Sequence, residues 1–487
     1  MRSATSVTVW TVAALTLTTG VAISQNRGLS VLPLVVALGA VALTTAPPLT
    51  VVLITALAWN LINIELVKVL GLLPNWTYYA SDACVFAAIG LALALQGRHP
   101  ATRRSWVRPM WGVLGLLIAS GITAGLLQAS SLTTSLLGLR WLAYPILGLA
   151  VAGLSHSFRR KLFRQVVIFL VIGCLVSQLP VSAYQLLTRQ HLPAPEFTGS
   201  AGKVFGVGIR AYGLMGWPTT LALLLLVPSL AVGLRVIGGM ADRKTIVAAV
   251  FLVTLIVLTF SRGSLLALAA GLVSGSVAIR RLSVRRSAHP RRTAKVLAVT
   301  GVLVVAGLGL GLSGLASRSA DFNFTNYHRD VAHGGRLALI RVSLELMHSS
   351  PVVGLGPGRF GGGVARARSG GVTTPDGEQV LTAESSLLQL GVEEGLVGLV
   401  GFAALLLLGT GRLLSPRDEG WDTETVWEVG TALAAMVAFA VSTLDAPSLE
   451  IRQVALPVWL LVGLACPAPR SGRAVTEPSP EAVEVPI

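Results

Sequence analysis

The sequence is poor in charged residues, which make up only 12% of its 487 residues. A water-soluble domain carries about 25% charged residues, so this deficit excludes most soluble globular folds. Apolar runs recur along nearly the whole chain, and a helix of about 20 such residues spans the hydrocarbon core of a bilayer. Transmembrane β-strands are shorter and alternate in polarity. The sequence therefore predicts an all-α, polytopic membrane helix bundle.

Residues that hold metals or cofactors are also scarce. Cys84, Cys174 and Cys466 stand alone, without the paired spacing of a metal site or a disulfide framework. There is no His/Cys cluster, no Asp-x-Asp pair and no Walker loop, so we expect neither a metal nor a cofactor. The first apolar run has no small-residue cleavage site after it, which favours an uncleaved first helix.

Fourteen apolar segments are candidate membrane spans. The ninth and tenth are short and are interpreted as a hairpin. This number is consistent with a bundle of about 12–14 transmembrane helices. The segments are 7–24, 29–45, 48–73, 78–96, 108–127, 132–154, 162–185, 212–234, 245–260, 263–279, 296–316, 384–411, 426–444 and 451–466.

The chain has a net charge of +16, and its basic residues are divided unevenly between the two sides of the membrane. Basic residues gather in alternate loops, and the positive-inside rule places these loops and both termini in the cytoplasm. We therefore expect no nucleic acid partner. Arginines also occur in loops 186–211 and 317–383, which face the other side, where topology does not require them. Binding of an anion would explain them; a solvated surface or contact with lipid headgroups is the alternative.

The long loop is predicted to contain a helix. Leu337, Ile340, Leu344 and Met347 recur at helical spacing, and the helix is expected to end at Pro351. The glycine-rich run that follows predicts a tight turn back towards the bundle. The predicted organisation is transmembrane helices in 1–316, an extracytoplasmic loop in 317–383, further transmembrane helices in 384–466 and a disordered cytoplasmic tail in 467–487.

Three ionisable residues are predicted at the outer face: Arg262 between two spans, Arg336 at the start of the loop helix and Glu384 at the start of span twelve. Guanidinium groups stay charged and bind phosphates in a fork. A carboxylate can take a proton from a hydroxyl. The three together favour transfer of a group from a lipid diphosphate to an alcohol. The structural alternatives are a membrane anchor for Arg262 and a helix-start carboxylate for Glu384; Glu393 and Glu394 are interpreted as buried structural partners.

Four stretches within residues 209–401 resemble the O-antigen ligase and O-antigen polymerase (Wzy-type) superfamily of bacterial membrane glycosyltransferases. They are GIRAYGLMGWPTT, TFSRGSLLAL, GGRLALIRVSLELMHSSPVVGLGPGRF and AESSLLQLGVEEGLVGLVG. The resemblance implies a GT-C-like fold in the bacterial plasma membrane. It also implies transfer of a glycan from undecaprenyl diphosphate to a hydroxyl acceptor on the outer face, with inversion and without a metal.

By this resemblance, Arg262 and Arg336 are the two functional arginines, and Glu384 stands where the family has the histidine that activates the acceptor. Arg210 and Arg359 are expected to help hold the diphosphate. The implied partners are a lipid-linked oligosaccharide or polysaccharide donor, a glycan or lipid acceptor, and membrane lipids. Chain extension and ligation both stay open. A transporter or flippase of a lipid-linked glycan, or a structural assembly protein, is the alternative function.

Overall fold

A computed structural model describes most of the central and carboxy-terminal parts of the chain. The predicted spans 7–24, 29–45 and 296–316 and the predicted tail at 467–487 lie outside the described residues. The described residues are 47–61, 80–96, 107–128, 130–188, 210–215, 217–283, 336–360, 372–373, 379–380, 385–414, 421–449 and 451–465.

The regular secondary structure of the described residues is helical except for one two-stranded ladder. The ladder joins β1 (Val372–Thr373) to β2 (Gln379–Val380) in antiparallel register, with Val372 opposite Val380. The helices are α1 (Pro48–Asn60), α2 (Ala80–Gln96), α3 (Val107–Leu127), α4 (Leu132–Gly138), α5 (Ala143–Ala152), α6 (His156–Thr188), α7 (Pro218–Ile237), α8 (Arg243–Leu258), α9 (Arg262–Ser283), α10 (Arg336–Ser349), α11 (Ser386–Leu414), α12 (Thr423–Asp445) and α13 (Arg452–Ala465).

Seven helical segments among the described residues are long and apolar enough to cross a membrane. One of them is composite, because a 3-10 turn at Leu139–Leu142 joins α4 to α5 into a single segment, Leu132–Ala152. Three shorter apolar helices accompany them. The prediction of a polytopic, all-helical membrane bundle is confirmed. The seven are Val107–Leu127, Leu132–Ala152, His156–Thr188, Pro218–Ile237, Arg262–Leu282, Ser386–Leu414 and Thr423–Asp445.

The two helices predicted at 245–260 and 263–279 are present and are joined by a short turn, but they pack mainly on other helices. They are α8, which packs on α7, and α9, which packs along α12. The reason is a small-residue face on α9. A Cβ on Gly271 would lie 2.8 Å from the carbonyl oxygen of Ala434, and one on Gly275 would lie 2.9 Å from that of Gly430. Glycines at these positions let the two helix backbones approach closely.

The two ends of α12 define the two ends of the bundle. At the end that holds Asp422, here named the network end, three arginines pair with acidic residues of α12. At the end that holds Asp445, here named the loop end, α12 meets the start of α11. The arginine pairs are Arg160 with Asp422 and Glu428, Arg164 with Glu424 and Glu428, and Arg235 with Glu424 at 2.6 Å. These arginines, which the sequence assigns to cytoplasmic loops, therefore also join α6 and α7 to α12.

The helix predicted in the long loop is confirmed as α10, but its predicted stripe is only partly the buried side. Ile340 and Leu344 are 38% and 53% exposed. Leu339, Leu346 and Met347 form the side that packs on the bundle, against Val392 and Phe360. The packing of α10 on α11 decides which side of α10 is buried. Met347 lies against Gly391 of α11, where an added Cβ would be 2.6 Å from the Met347 methyl group. On its exposed side, Arg341 pairs with Glu345 at 2.9 Å.

Candidate functional site

The Ser-Arg-Gly stretch, residues 261–263, lies at the junction where a three-residue turn, 259–261, leads from α8 into α9; this junction is named the Ser-Arg-Gly turn. Hydroxyl groups organise the turn: the Ser261 amide donates to Thr259 Oγ1 at 3.2 Å, and the hydroxyls of Ser261 and Ser264 lie 2.9 Å apart. Phe260 adopts a left-handed backbone with φ 52°, which is unusual for a bulky residue. The turn therefore fixes the position of Arg262 at the start of α9.

Arg262 is exposed, and its guanidinium makes no hydrogen bond or ion pair with any described residue. It is also the first residue of α9, whose free backbone amides and dipole favour an anion nearby. Arg210 lies at the same turn, because its Nε donates to the carbonyl oxygen of Thr259 at 2.7 Å. The structure thus brings Arg210 and Arg262, two of the predicted site residues, to one turn at the loop end.

A carboxylate that sequence reasoning missed lies against the same turn. A Cβ built on Gly263 would be 2.1 Å from Asp445 Oδ2, so the Asp445 side chain fills the space beside the residue after Arg262. Asp445 is the last residue of α12. The one sequence signal for it is its place directly after the apolar segment predicted at 426–444, since ionisable residues in or beside spans usually have a partner.

The start of α11 is attached to the end of α12. Ser385 Oγ donates to the carbonyl oxygen of Thr443 at 2.9 Å, and the Ser386 amide donates to that of Ala446 at 3.1 Å. Ser386 Oγ also accepts the Leu449 amide at 3.0 Å. The chain directly after position 384 is therefore held beside Asp445. Glu384 itself lies outside the described residues, so its predicted role stays a prediction.

The glycine-rich turn after α10 docks into a break in α11. Gly395 has φ 63° and ψ −154°, a conformation that interrupts the helix and that an L side chain rarely adopts. A break frees backbone groups that must find partners inside a membrane protein. The turn supplies them through four hydrogen bonds: Leu355 N to Val392 O at 2.8 Å, Gly356 N to Glu393 O at 2.9 Å, Leu396 N to Pro351 O at 2.9 Å and Val397 N to Val352 O at 3.2 Å.

Glu393 and Glu394 are buried structural partners, as interpreted from the sequence. Glu393 accepts the amide of Phe360 at 2.8 Å and so ties the far end of the turn to α11. Glu394 accepts the indole N–H of Trp141 at 3.3 Å. The two side chains are 4% and 1% exposed. They hold the turn and the α4–α5 segment against α11 and do not face solvent.

Arg359 and Arg336 occupy the two ends of this loop element. Arg359 Nη1 donates to the carbonyl oxygen of Gln128 at the end of α3, at 2.8 Å, so the bundle holds part of its guanidinium. Arg336 is the first residue of α10, which places its backbone at the start of the loop helix. Among the described residues, no group of three His, Cys, Asp or Glu side chains is placed to hold a metal ion.

The fold and this site define a polytopic membrane protein with an arginine-bearing site at one end of its bundle. Residues 247–403 match the family model of the O-antigen ligase. Over these residues the match confirms the resemblance to the O-antigen ligase superfamily seen in the sequence. The match includes Arg262, Arg336, Arg359 and Glu384, and leaves Arg210 outside. No curated protein matches the chain.

Proposed function

We propose that the protein is a membrane glycosyltransferase that moves a glycan from an undecaprenyl-diphosphate-linked donor to a hydroxyl acceptor at its loop end. The O-antigen ligase domain supports a glycosyltransferase-type enzyme. The observation that carries the proposal is the Ser-Arg-Gly turn, where an exposed Arg262 without a described partner lies beside Arg210 and Asp445. The loop end would face outward from the bacterial plasma membrane, with both termini in the cytoplasm, as the positive-inside rule predicts.

The arginines would bind the donor diphosphate. Arg262 and Arg336 both begin helices, so each would present a guanidinium together with a helix N-terminus to the anion. Arg210 and Arg359 would add charge from the sides. As the bond from the anomeric carbon to the diphosphate oxygen breaks, negative charge grows on the leaving group, and fixed cations stabilise it most at that point. This arrangement requires no metal.

Carboxylates would deprotonate and orient the acceptor hydroxyl. Glu384 would take the proton from the acceptor hydroxyl as its oxygen attacks the anomeric carbon. The undecaprenyl diphosphate leaves with the bonding electrons from the opposite side, so a single displacement inverts the configuration. The attachment of Ser385 and Ser386 to the end of α12 supports this assignment, because it brings the chain next to position 384 close to Asp445. Asp445 would orient the acceptor or a neighbouring guanidinium.

The test is Arg262→Ala, assayed by transfer of a lipid-linked glycan in membranes. Transfer is expected to fall by at least about 100-fold, since fixed charge on a developing anion is typically worth that much. Arg341→Ala is the matched control, because Arg341 lies in the same domain, is 76% exposed and pairs only locally with Glu345. Unchanged transfer by Arg262→Ala at normal expression would overturn the assignment.

One observation favours a second function. α11 is broken at Gly395, and discontinuous helices within the membrane are common in transporters, where they form ion and substrate sites. In this protein the turn at 351–356 occupies the break and satisfies its backbone groups, which favours the enzyme. Purified protein that moves a lipid-linked glycan across liposomes without joining it to an acceptor would decide for transport.

A further inference from the structure

The loop helix α10 carries an exposed apolar flank that the proposed site does not use. Ile340 and Leu344 are four residues apart and therefore lie on the same side of the helix. Arg341 and Glu345, 76% and 55% exposed, form the neighbouring polar side. The helix thus has three sides: one against the bundle, one apolar and exposed, and one charged.

The apolar flank continues into the lipid-facing surface of α11. Val352, which follows α10, is 58% exposed, and its carbonyl oxygen accepts the Val397 amide at 3.2 Å. Leu396 and Val400 are 58% and 59% exposed and lie four residues apart on α11. Because α11 is a candidate span, apolar side chains exposed on it face acyl chains.

The depth of the turn also points to the bilayer. Leu444, in the last turn of α12, is 62% exposed, so the lipid-facing surface reaches almost to the end of that helix. Ser386 lies at the same level, since its amide donates to the carbonyl oxygen of Ala446. The turn bonds to Val392, six residues further along α11, which is about 9 Å at 1.5 Å per residue.

We infer that α10 and the turn after it are seated in the bilayer, with Ile340, Leu344 and Val352 immersed among the acyl chains of the leaflet at the loop end. The charged side, with Arg341 and Glu345, then faces the headgroups, as in interfacial amphipathic helices. Seating α10 in this way holds the backbone of Arg336 at headgroup depth, where the diphosphate of a lipid-linked donor lies. This last consequence rests on the proposed function; the immersion does not.

Spin labels test the inference on the full chain, reconstituted in phosphatidylethanolamine–phosphatidylglycerol vesicles. A nitroxide is placed at Ile340→Cys and Leu344→Cys, with Arg341→Cys and Glu345→Cys as the polar pair. Leu407→Cys, 71% exposed on α11, is the lipid control. Collision with dissolved oxygen reports lipid, and collision with a water-soluble nickel chelate reports water. The native cysteines to be replaced by alanine first are Cys84, Cys174 and Cys466.

The inference requires oxygen access to exceed nickel access several-fold at positions 340 and 344, as at position 407, and the reverse at 341 and 345. Preferential nickel access at 340 and 344 would put the flank in water and overturn it. Protection from both reagents would show that protein covers the flank, from the rest of this chain or from a second copy, and would also overturn it. Neither result bears on the Arg262→Ala assay, so the two proposals fail separately.

Discussion

The contact between Gly263 and Asp445 makes the sharpest prediction at the candidate site. In Gly263→Ala, the new Cβ would lie 2.1 Å from Asp445 Oδ2, whereas real Cβ atoms essentially never approach closer than 3.0 Å. Rotating the carboxylate moves Oδ2 away but relieves the overlap only in part, because Asp445 Cγ and Cβ are also only 2.8 and 2.9 Å away. Either the Asp445 carboxylate turns away from Gly263, or α9 and α12 move apart by up to about 0.9 Å at this end.

Overpacking of this kind costs about 1–3 kcal/mol of the free energy of unfolding. Either response moves the Asp445 carboxylate relative to Arg262. Because a misplacement of about 1 Å can cost about 100-fold in rate, glycan transfer is expected to fall by up to that factor. The measurements are unfolding of the purified protein in detergent and transfer in membranes. Gly112→Ala is the control, since a Cβ there meets nothing within 4 Å.

A double-mutant cycle separates this contact from other effects of the substitutions. Asp445→Ala removes Oδ2 and Cγ and leaves only Cβ, 2.9 Å from the new methyl group and so almost at the allowed limit. Gly263→Ala should therefore destabilise the Asp445→Ala protein less than the native one, by about 1 kcal/mol or more of coupling. Additive losses of stability, within about 0.5 kcal/mol, would refute the contact. Recovered stability without recovered transfer is the expected pattern, because the double variant still lacks the carboxylate.

Three further predictions follow. Gly395→Ala should abolish stable expression as judged by detergent gel filtration, because the φ of 63° disfavours an L side chain and its Cβ would lie 2.4 Å from Val352 O; a well-folded, active variant would contradict the docked break. Partial burial raises the pKa of Asp422, but hydrogen bonds from Thr425 and Arg160 outweigh it and hold the pKa at about 2. Its stabilising contribution is thus present above its ordinary value of 3.8 and is lost as pH falls towards about 2, so the melting temperatures of the native protein and Asp422→Asn should differ at neutral pH and converge in acid; a constant difference would contradict this. Deletion of the gene should make lipid-linked glycans accumulate, as single repeat units if the enzyme extends chains and as full-length polymer if it ligates them, and mass analysis that finds no accumulation would contradict both.

At the network end, the same arginines satisfy both the membrane topology and the packing of the helices. Arg160, Arg164 and Arg235 fit the positive-inside rule, and in the folded chain they also neutralise Glu424 and Glu428. Arg235 additionally lies 4.5 Å from the centre of the Trp427 ring, a favourable cation–π distance. A charge count on the sequence detects the topology only, because the packing depends on which helices become neighbours.

Within the described residues, the sequence alone predicted the long membrane helices, because a chain that spans a bilayer can adopt few structures. Each span must be a long apolar helix with its backbone groups paired internally, and such runs are readable without knowing their neighbours. The segment predicted at 426–444 is Thr423–Asp445, and the segment predicted at 384–411 is Ser386–Leu414 in the structure. Arg262 and Arg336 were also singled out from the sequence, since arginine on the side opposite to the basic loops has no topological reason; their role stays a prediction.

Tertiary structure alone decided which of these helices meet. α9 packs mainly on α12 rather than on α8, because Gly271 and Gly275 admit a backbone that lies far away in the sequence. Gly395 breaks α11 only because the turn at 351–356 supplies the missing hydrogen bonds. Asp445 reaches the Ser-Arg-Gly turn by the same long-range pairing. Local pattern specifies a helix, but contacts between distant segments depend on the fit of two surfaces, and no single stretch of sequence contains both.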